Sequence, residues 1–259
     1  MITDIRNIWK FRDMIFELTH RELRGKYKGS VLGFLWTYVN PLAIILVYAF
    51  FFAKILRSGI ESFYIYLIIS MFPWNFFTGG VIQGLGSIRY QADLIKKVYF
   101  PRQILPTVYM IVNCINLIIS FGIIYSILLI SGWGVDMHLQ GWLFVAIAIE
   151  FFFALGLALL FSAVEVYFRD IEHIVSVLMM IWMYVTPLFY SLSIIPEEYM
   201  PMFKCNPMLY IIGIYQQILY YRISPEPEYL IKAVLFAVGS MTIGSVVFNI
   251  LEKRFAEEL

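Results

Sequence analysis

Charge is what this sequence has least of. Only 14% of its 259 residues are Asp, Glu, Lys or Arg, against about 25% in an ordinary soluble domain. Hydrophobic residues make up 61%, where about 45–50% is usual. One soluble core cannot hide that much apolar surface, so a soluble enzyme is excluded. The net charge of +1 gives no general attraction to nucleic acid. Two cysteines are too few for a disulfide framework: Cys114 lies in an apolar run and Cys205 in a distant loop, neither beside other metal-ligand residues. His20, His138 and His173 fall in separate segments, which does not suit a membrane-embedded glycan-modifying enzyme needing clustered histidines or carboxylates. No Gly-x-x-x-x-Gly-Lys-Ser/Thr loop occurs, and the glycines from Gly79 to Gly86 lack a following lysine. The chain cannot cradle ATP by that route, and no cofactor or metal is expected on it. No internal repeat or low-complexity tract is visible. The first residues alternate apolar and charged positions rather than forming a removable signal.

What remains is a series of apolar runs. A crossing of roughly 30 Å of hydrocarbon takes about 20 apolar residues in a helix. Gly33 to Ala53, closed by Lys54 and Arg57, is the first such run. Phe63 to about Leu85 is the second, expected to bend at Pro73 and to allow close helix contact at Gly79, Gly80 and Gly84. The third runs from about Pro106 to Ile130, the fourth from Gly141 to Ala163, the fifth from His173 to about Tyr190 and the sixth from Leu230 to Leu251. The last carries Ala233, Ala237, Gly239, Ser240, Gly244 and Ser245, which predict tight packing inside the bundle. The fold class is therefore an all-α polytopic membrane protein with six transmembrane helices, forming a single membrane domain over residues 1–259.

Two segments belong to neither loop nor span. Residues 1–30 place Ile5, Ile8, Trp9, Ile15, Leu18 and Leu23 near helical spacing opposite Arg6, Lys10, Asp13, Glu17, Arg21 and Arg24, the pattern of an amphipathic helix in the membrane surface or against a partner. Residues 191–229 hold an apolar patch, Met208 to Tyr221, among prolines. That patch is too short to span, and Asn206-Pro207 makes a good helix start, so it reads as re-entrant helices at the outer face. Lysine and arginine set the orientation. With an inside amino terminus, 14 of the 19 fall on the inner side, which predicts that both termini are cytoplasmic.

The second inner loop, residues 92–105, mixes charge with Leu94, Ile95, Val98, Tyr99 and Phe100. A mere connector has no need of such an apolar knob, and a docked partner or the headgroup layer would cover it. Glu150 falls in the middle of the fourth crossing, where a carboxylate must face the bundle, be protonated or find a partner.

Four ordered segments carry a resemblance. They are Arg21-Glu-Leu-Arg-Gly-Lys-Tyr-Lys-Gly-Ser-Val-Leu-Gly-Phe-Leu-Trp36 with Asn40-Pro41-Leu42, Lys96-Lys-Val-Tyr-Phe-Pro-Arg102, Tyr167-Phe-Arg-Asp-Ile171 and Thr186-Pro-Leu-Phe-Tyr190. With them the whole chain resembles the permease subunits of ABC exporters for lipid-linked polysaccharides of O-antigen, capsule or teichoic-acid type in the bacterial cytoplasmic membrane. The resemblance implies a second copy of this chain, two copies of an ATPase subunit that binds ATP and Mg, and a lipid-linked glycan as cargo. It makes Leu94, Ile95, Lys96, Lys97, Tyr99, Phe100 and Arg102 the coupling segment, with Arg169 and Asp170 as further contacts. An exporter of a drug or small lipid would share this topology. Arg24, Lys26 and Lys28 stand where a lipid pyrophosphate would rest, though anchoring to anionic lipid explains them equally. Tyr38, Tyr48, Tyr184 and Tyr190 are candidates to line a glycan path. Tyr210, Tyr215, Tyr220 and Tyr221 are candidates for an outer gate.

Overall fold

A computed structural model of the protein describes residues 10–27, 33–51 and 59–258. Among these residues there are helices and connections but no strand. Helix α1, Arg12–Tyr27, turns Leu18 and Thr19 inward and leaves Phe16 exposed. A short 3-10 turn, Gly33–Leu35, leads into α2, Trp36–Phe50. Helix α3, Phe63–Tyr90, is followed by the short α4, Ala92–Lys97, and by α5, Ile104–Ile130. Then come α6, Gln140–Glu165, and α7, Ile171–Val185. Helices α8, Met200–Lys204, and α9, Pro207–Gln216, precede α10, Pro227–Leu251, and a closing turn α11, Phe255–Glu258.

Helix α3 is the axis of the bundle: most of it is buried, against α2, α5, α6 and α9. Pro73 does not break it. Its glycines admit neighbours instead, since a Cβ on Gly84 would lie 2.8 Å from the Ala158 Cβ and one on Gly80 would lie 2.6 Å from the Met110 sulfur. Helix α10 packs on α6 by the same device: a Cβ on Gly244 would fall 2.0 Å from the Gly156 carbonyl oxygen, and Ser240 Oγ donates to the Phe153 carbonyl at 2.7 Å. Only one face of α10 is used this way. Ala233, Ala237, Gly244 and Phe248 are buried, a Cβ on Gly239 would meet nothing, and Val234, Leu235, Val238 and Val246 point outward. The sixth run therefore lies at the rim of the bundle, not inside it.

Four helices, α3, α5, α6 with the turn before it, and α10, are long and apolar enough to cross a membrane. Helices α2 and α7 are apolar and have 15 residues each, about 22 Å at 1.5 Å per residue, against roughly 30 Å of hydrocarbon. The fifth crossing, expected to reach Tyr190, is cut at Val185. Thr186 is extended, with φ −94° and ψ 135°, because the Pro187 ring disfavours helical backbone in the residue before it. Residues 52–58, with Lys54 and Arg57, lie outside the described residues, as do Ile5, Ile8 and Trp9.

The segment after α7 returns into the protein. All of α9 but its first residue is buried, and its start is tied down by Asn206. The Asn206 Oδ1 accepts from the Met208 backbone N–H at 3.0 Å and from the Trp182 indole at 2.7 Å. Its Nδ2 donates to Thr186 Oγ1 at 3.0 Å. Gln216 donates to Ser70 Oγ at 2.8 Å, and Tyr66 donates to the Pro187 carbonyl at 2.9 Å. These bonds satisfy irregular backbone that would otherwise be costly away from water.

Candidate functional site

The chain brings α4, the start of α1 and the end of α10 to one end of the bundle. Lys10, Phe11, residues 95–103, Glu252 and Lys253 line a cleft there of about 920 Å³. Five of its side chains are basic (Lys10, Lys96, Lys97, Arg102 and Lys253) and one is acidic. Asp93 lies in the first turn of α4 and Lys96 and Lys97 in the last, the arrangement its dipole favours.

The apolar knob expected in this loop is divided by the structure. Ile95 and Phe100 turn inward and are buried, and Leu94 is half-buried, whereas Val98 is exposed and Tyr99 is 97% exposed. Ile95 and Phe100 are anchors, and Tyr99 is what the loop presents. Behind it, Arg102 donates to the Glu252 carbonyl and lies 5.6 Å over the Phe255 ring. Gln103 donates to Asn249 Oδ1 at 2.6 Å, and Tyr167 donates to the Leu251 carbonyl at 2.9 Å. The end of the chain thereby clamps the loop.

A second clamp was missed in the sequence. Arg89, at the end of α3 and just before α4, lies 2.9 Å through Nε from Glu165 Oε1 on α6 and donates from Nη2 to Glu172 Oε2 on α7 at 2.7 Å. Tyr90 donates to the other oxygen of Glu172 at 3.0 Å. Arg89 counts as a topology charge in the sequence, and the one available signal was a carboxylate, Glu165, closing the apolar run that follows Glu150. Arg169 and Asp170, singled out instead, are both exposed and make no ion pair with each other among the described residues.

Three of the four path tyrosines converge. Tyr48 meets Phe189 at 4.9 Å edge-on, Tyr184 meets the same ring at 6.1 Å, and Tyr190 donates to the Tyr184 carbonyl at 2.8 Å. Tyr38 stands apart and buried on α2. Tyr210 and Tyr215, the gate candidates, are both buried within this chain. Tyr210 donates to the Lys204 carbonyl at 2.8 Å, and Tyr215 donates to Glu150 Oε2 at 2.7 Å. Glu150 thus finds its partner in the re-entrant segment, a pairing that no helical period reveals. Tyr220 donates to the Glu61 carbonyl at 2.6 Å, and Tyr221 is half exposed. Arg24 is exposed on α1, while Lys28 and the side chain of Lys26 lie outside the described residues.

Residues 14–220 match the ABC-2 type transporter family. The chain is 34% identical to an O-antigen export system permease protein of Myxococcus xanthus, over the whole of both chains. It is 30% identical to a protein of the same description from Klebsiella pneumoniae, covering 98% of this chain and 97% of that one. The polysialic acid transport protein of Escherichia coli is 19% identical over 90% of this chain and 91% of its own. A helical bundle with spans of membrane length, matched across four-fifths of its residues, belongs to the ABC-2 type transporter family as its membrane-spanning part.

Proposed function

We propose that the chain is the permease subunit of an ATP-driven exporter that moves a lipid-linked polysaccharide, of O-antigen, capsular or teichoic-acid type, outward across the bacterial cytoplasmic membrane. Two copies of the chain form the conduit and bind two copies of an ATPase subunit, which holds ATP and Mg. The observation that carries this reading is similarity along the whole chain to permeases named for O-antigen export. The basic end of the bundle faces the cytoplasm, in keeping with the excess of lysine and arginine in inner loops. The Tyr99 loop meets the ATPase there, and the chain itself performs no hydrolysis.

Deleting the gene tests the cargo. Surface polysaccharide, read on gels of cell extracts, disappears in the deletion strain and returns with a plasmid copy. Unchanged polysaccharide together with new drug sensitivity overturns the reading in favour of a drug or small-lipid exporter. Affinity purification of the chain from membranes also brings down a nucleotide-binding protein. Recovery of the chain alone at full transport activity contradicts the division of labour.

A further inference from the structure

A second cavity, of about 330 Å³, opens between α2, α3 and α5. Its volume is at the small end of the range for ligand sites, about 300–1,000 Å³. None of its lining residues among those described is charged, yet it draws together five side-chain amides: Asn40, Asn75, Gln83, Asn113 and Asn116, with Trp36 at the edge. Packed apolar helices do not ordinarily gather so many amides unless each bonds across to a neighbour. Asn113 does so, donating to Gln83 Oε1 at 3.1 Å and to the Tyr109 carbonyl at 2.8 Å. Asn116 does not. It is 93% buried, and neither its Nδ2 nor its Oδ1 has a hydrogen-bond partner among the described residues. A buried amide without partners is destabilising, so its presence at the wall of a cavity calls for a ligand. Gly79 keeps that cavity open, because a Cβ there would press to 3.0 Å from Asn113 Oδ1.

We infer that this cavity is a binding site for an uncharged, hydroxyl-rich group, a sugar ring carried into the membrane on an apolar anchor. An amide both donates and accepts, which matches a hydroxyl and gives nothing special to a phosphate. No cation lines it among the described residues, which sets its chemistry apart from that of a pyrophosphate site. Trp36, Phe72 and Phe76 supply flat apolar faces beside the amides. The inference rests on the export reading for the origin of the sugar.

The test uses the full chain in lipid nanodiscs and octyl β-glucoside bearing a diazirine as the probe. Light-driven labelling, mapped by peptide mass spectrometry, falls on the segments around Asn75–Gln83 and Asn113–Ser120. Unlabelled octyl glucoside competes, and a phosphocholine with the same alkyl chain does not. Asn116→Leu lowers labelling by about tenfold, the effect of a lost polar contact in the site, and at the same time raises the thermal midpoint. Gly79→Ala, which narrows the cavity from α3, lowers labelling without touching an amide. Labelling that is equal in both variants, competed by phosphocholine, or accompanied by a lowered midpoint in Asn116→Leu makes Asn116 a structural residue and overturns the site. Normal surface polysaccharide in the deletion strain with the labelling pattern intact sinks the export reading alone. Lost polysaccharide with no labelling sinks the site alone.

Discussion

Arg89 and Glu165, 76 positions apart in sequence, meet at 2.9 Å where α3 and α6 end, close in sequence to the start of α4. Glu165 has no exposed side-chain surface, while Arg89 keeps a third of its own. The pair, with Glu172, binds the end of α3 to α6 and α7. Removing the cation leaves a buried carboxylate unmatched.

Arg89→Met is expected to destabilise the protein by about 2 kcal/mol. This is below the roughly 3–5 kcal/mol for breaking fully buried pairs, because water reaches the guanidinium. The double variant Arg89→Met, Glu165→Gln recovers most of the loss. Thermal unfolding in detergent reports both, and simple addition of the two single effects would show that the groups do not interact.

Tyr99 and Phe100 are neighbours with opposite tasks. Tyr99→Ala leaves the thermal midpoint unchanged and abolishes co-purification of the ATPase subunit, since the side chain is 97% exposed. Phe100→Ala empties a buried site and lowers stability by about 3 kcal/mol or more. Retention of the ATPase by the Tyr99 variant at wild-type yield would assign docking to another surface.

The seam between α6 and α10 depends on the absence of side chains. Gly244→Ala forces the helices apart against the Gly156 carbonyl and is expected to cost about 1–3 kcal/mol through overpacking. Gly239→Ala, with open space around it, serves as the control and changes little. Equal midpoints for the two variants would contradict the packing described.

Asn206 holds the re-entrant segment by its cap and by Trp182. Asn206→Ala removes both and is expected to destabilise by about 2 kcal/mol, the upper part of the range for a lost cap. Limited proteolysis then cuts between residues 191 and 226, where the wild-type protein resists. Asn206→Asp keeps the acceptor and restores most of the protection. Identical digestion patterns would place the anchor elsewhere.

Much of this architecture was legible in composition and period. Apolar runs placed the helices, Asn206-Pro207 marked the start of α9, and Ala233, Ala237 and Gly244 marked a close contact, because each depends on neighbours near in sequence. The length of α7 was misjudged for a local reason, the effect of Pro187 on Thr186. Inward and outward turns of Ile95, Tyr99 and Phe100 were not readable, since an irregular loop has no period. The pairing of Tyr215 with Glu150, 65 positions apart, lay beyond any local signal.

The sequence by itself determined that this chain lives in a membrane, in helices, since apolar runs of about 20 residues meet there a solvent that cannot satisfy bare backbone. Tertiary structure alone decided which polar groups meet: Arg89 with Glu165, Tyr215 with Glu150, and five amides around one cavity. Such meetings depend on the rotation and depth of helices distant in sequence, set by contacts such as Gly156 with Gly244, and no single segment contains that information.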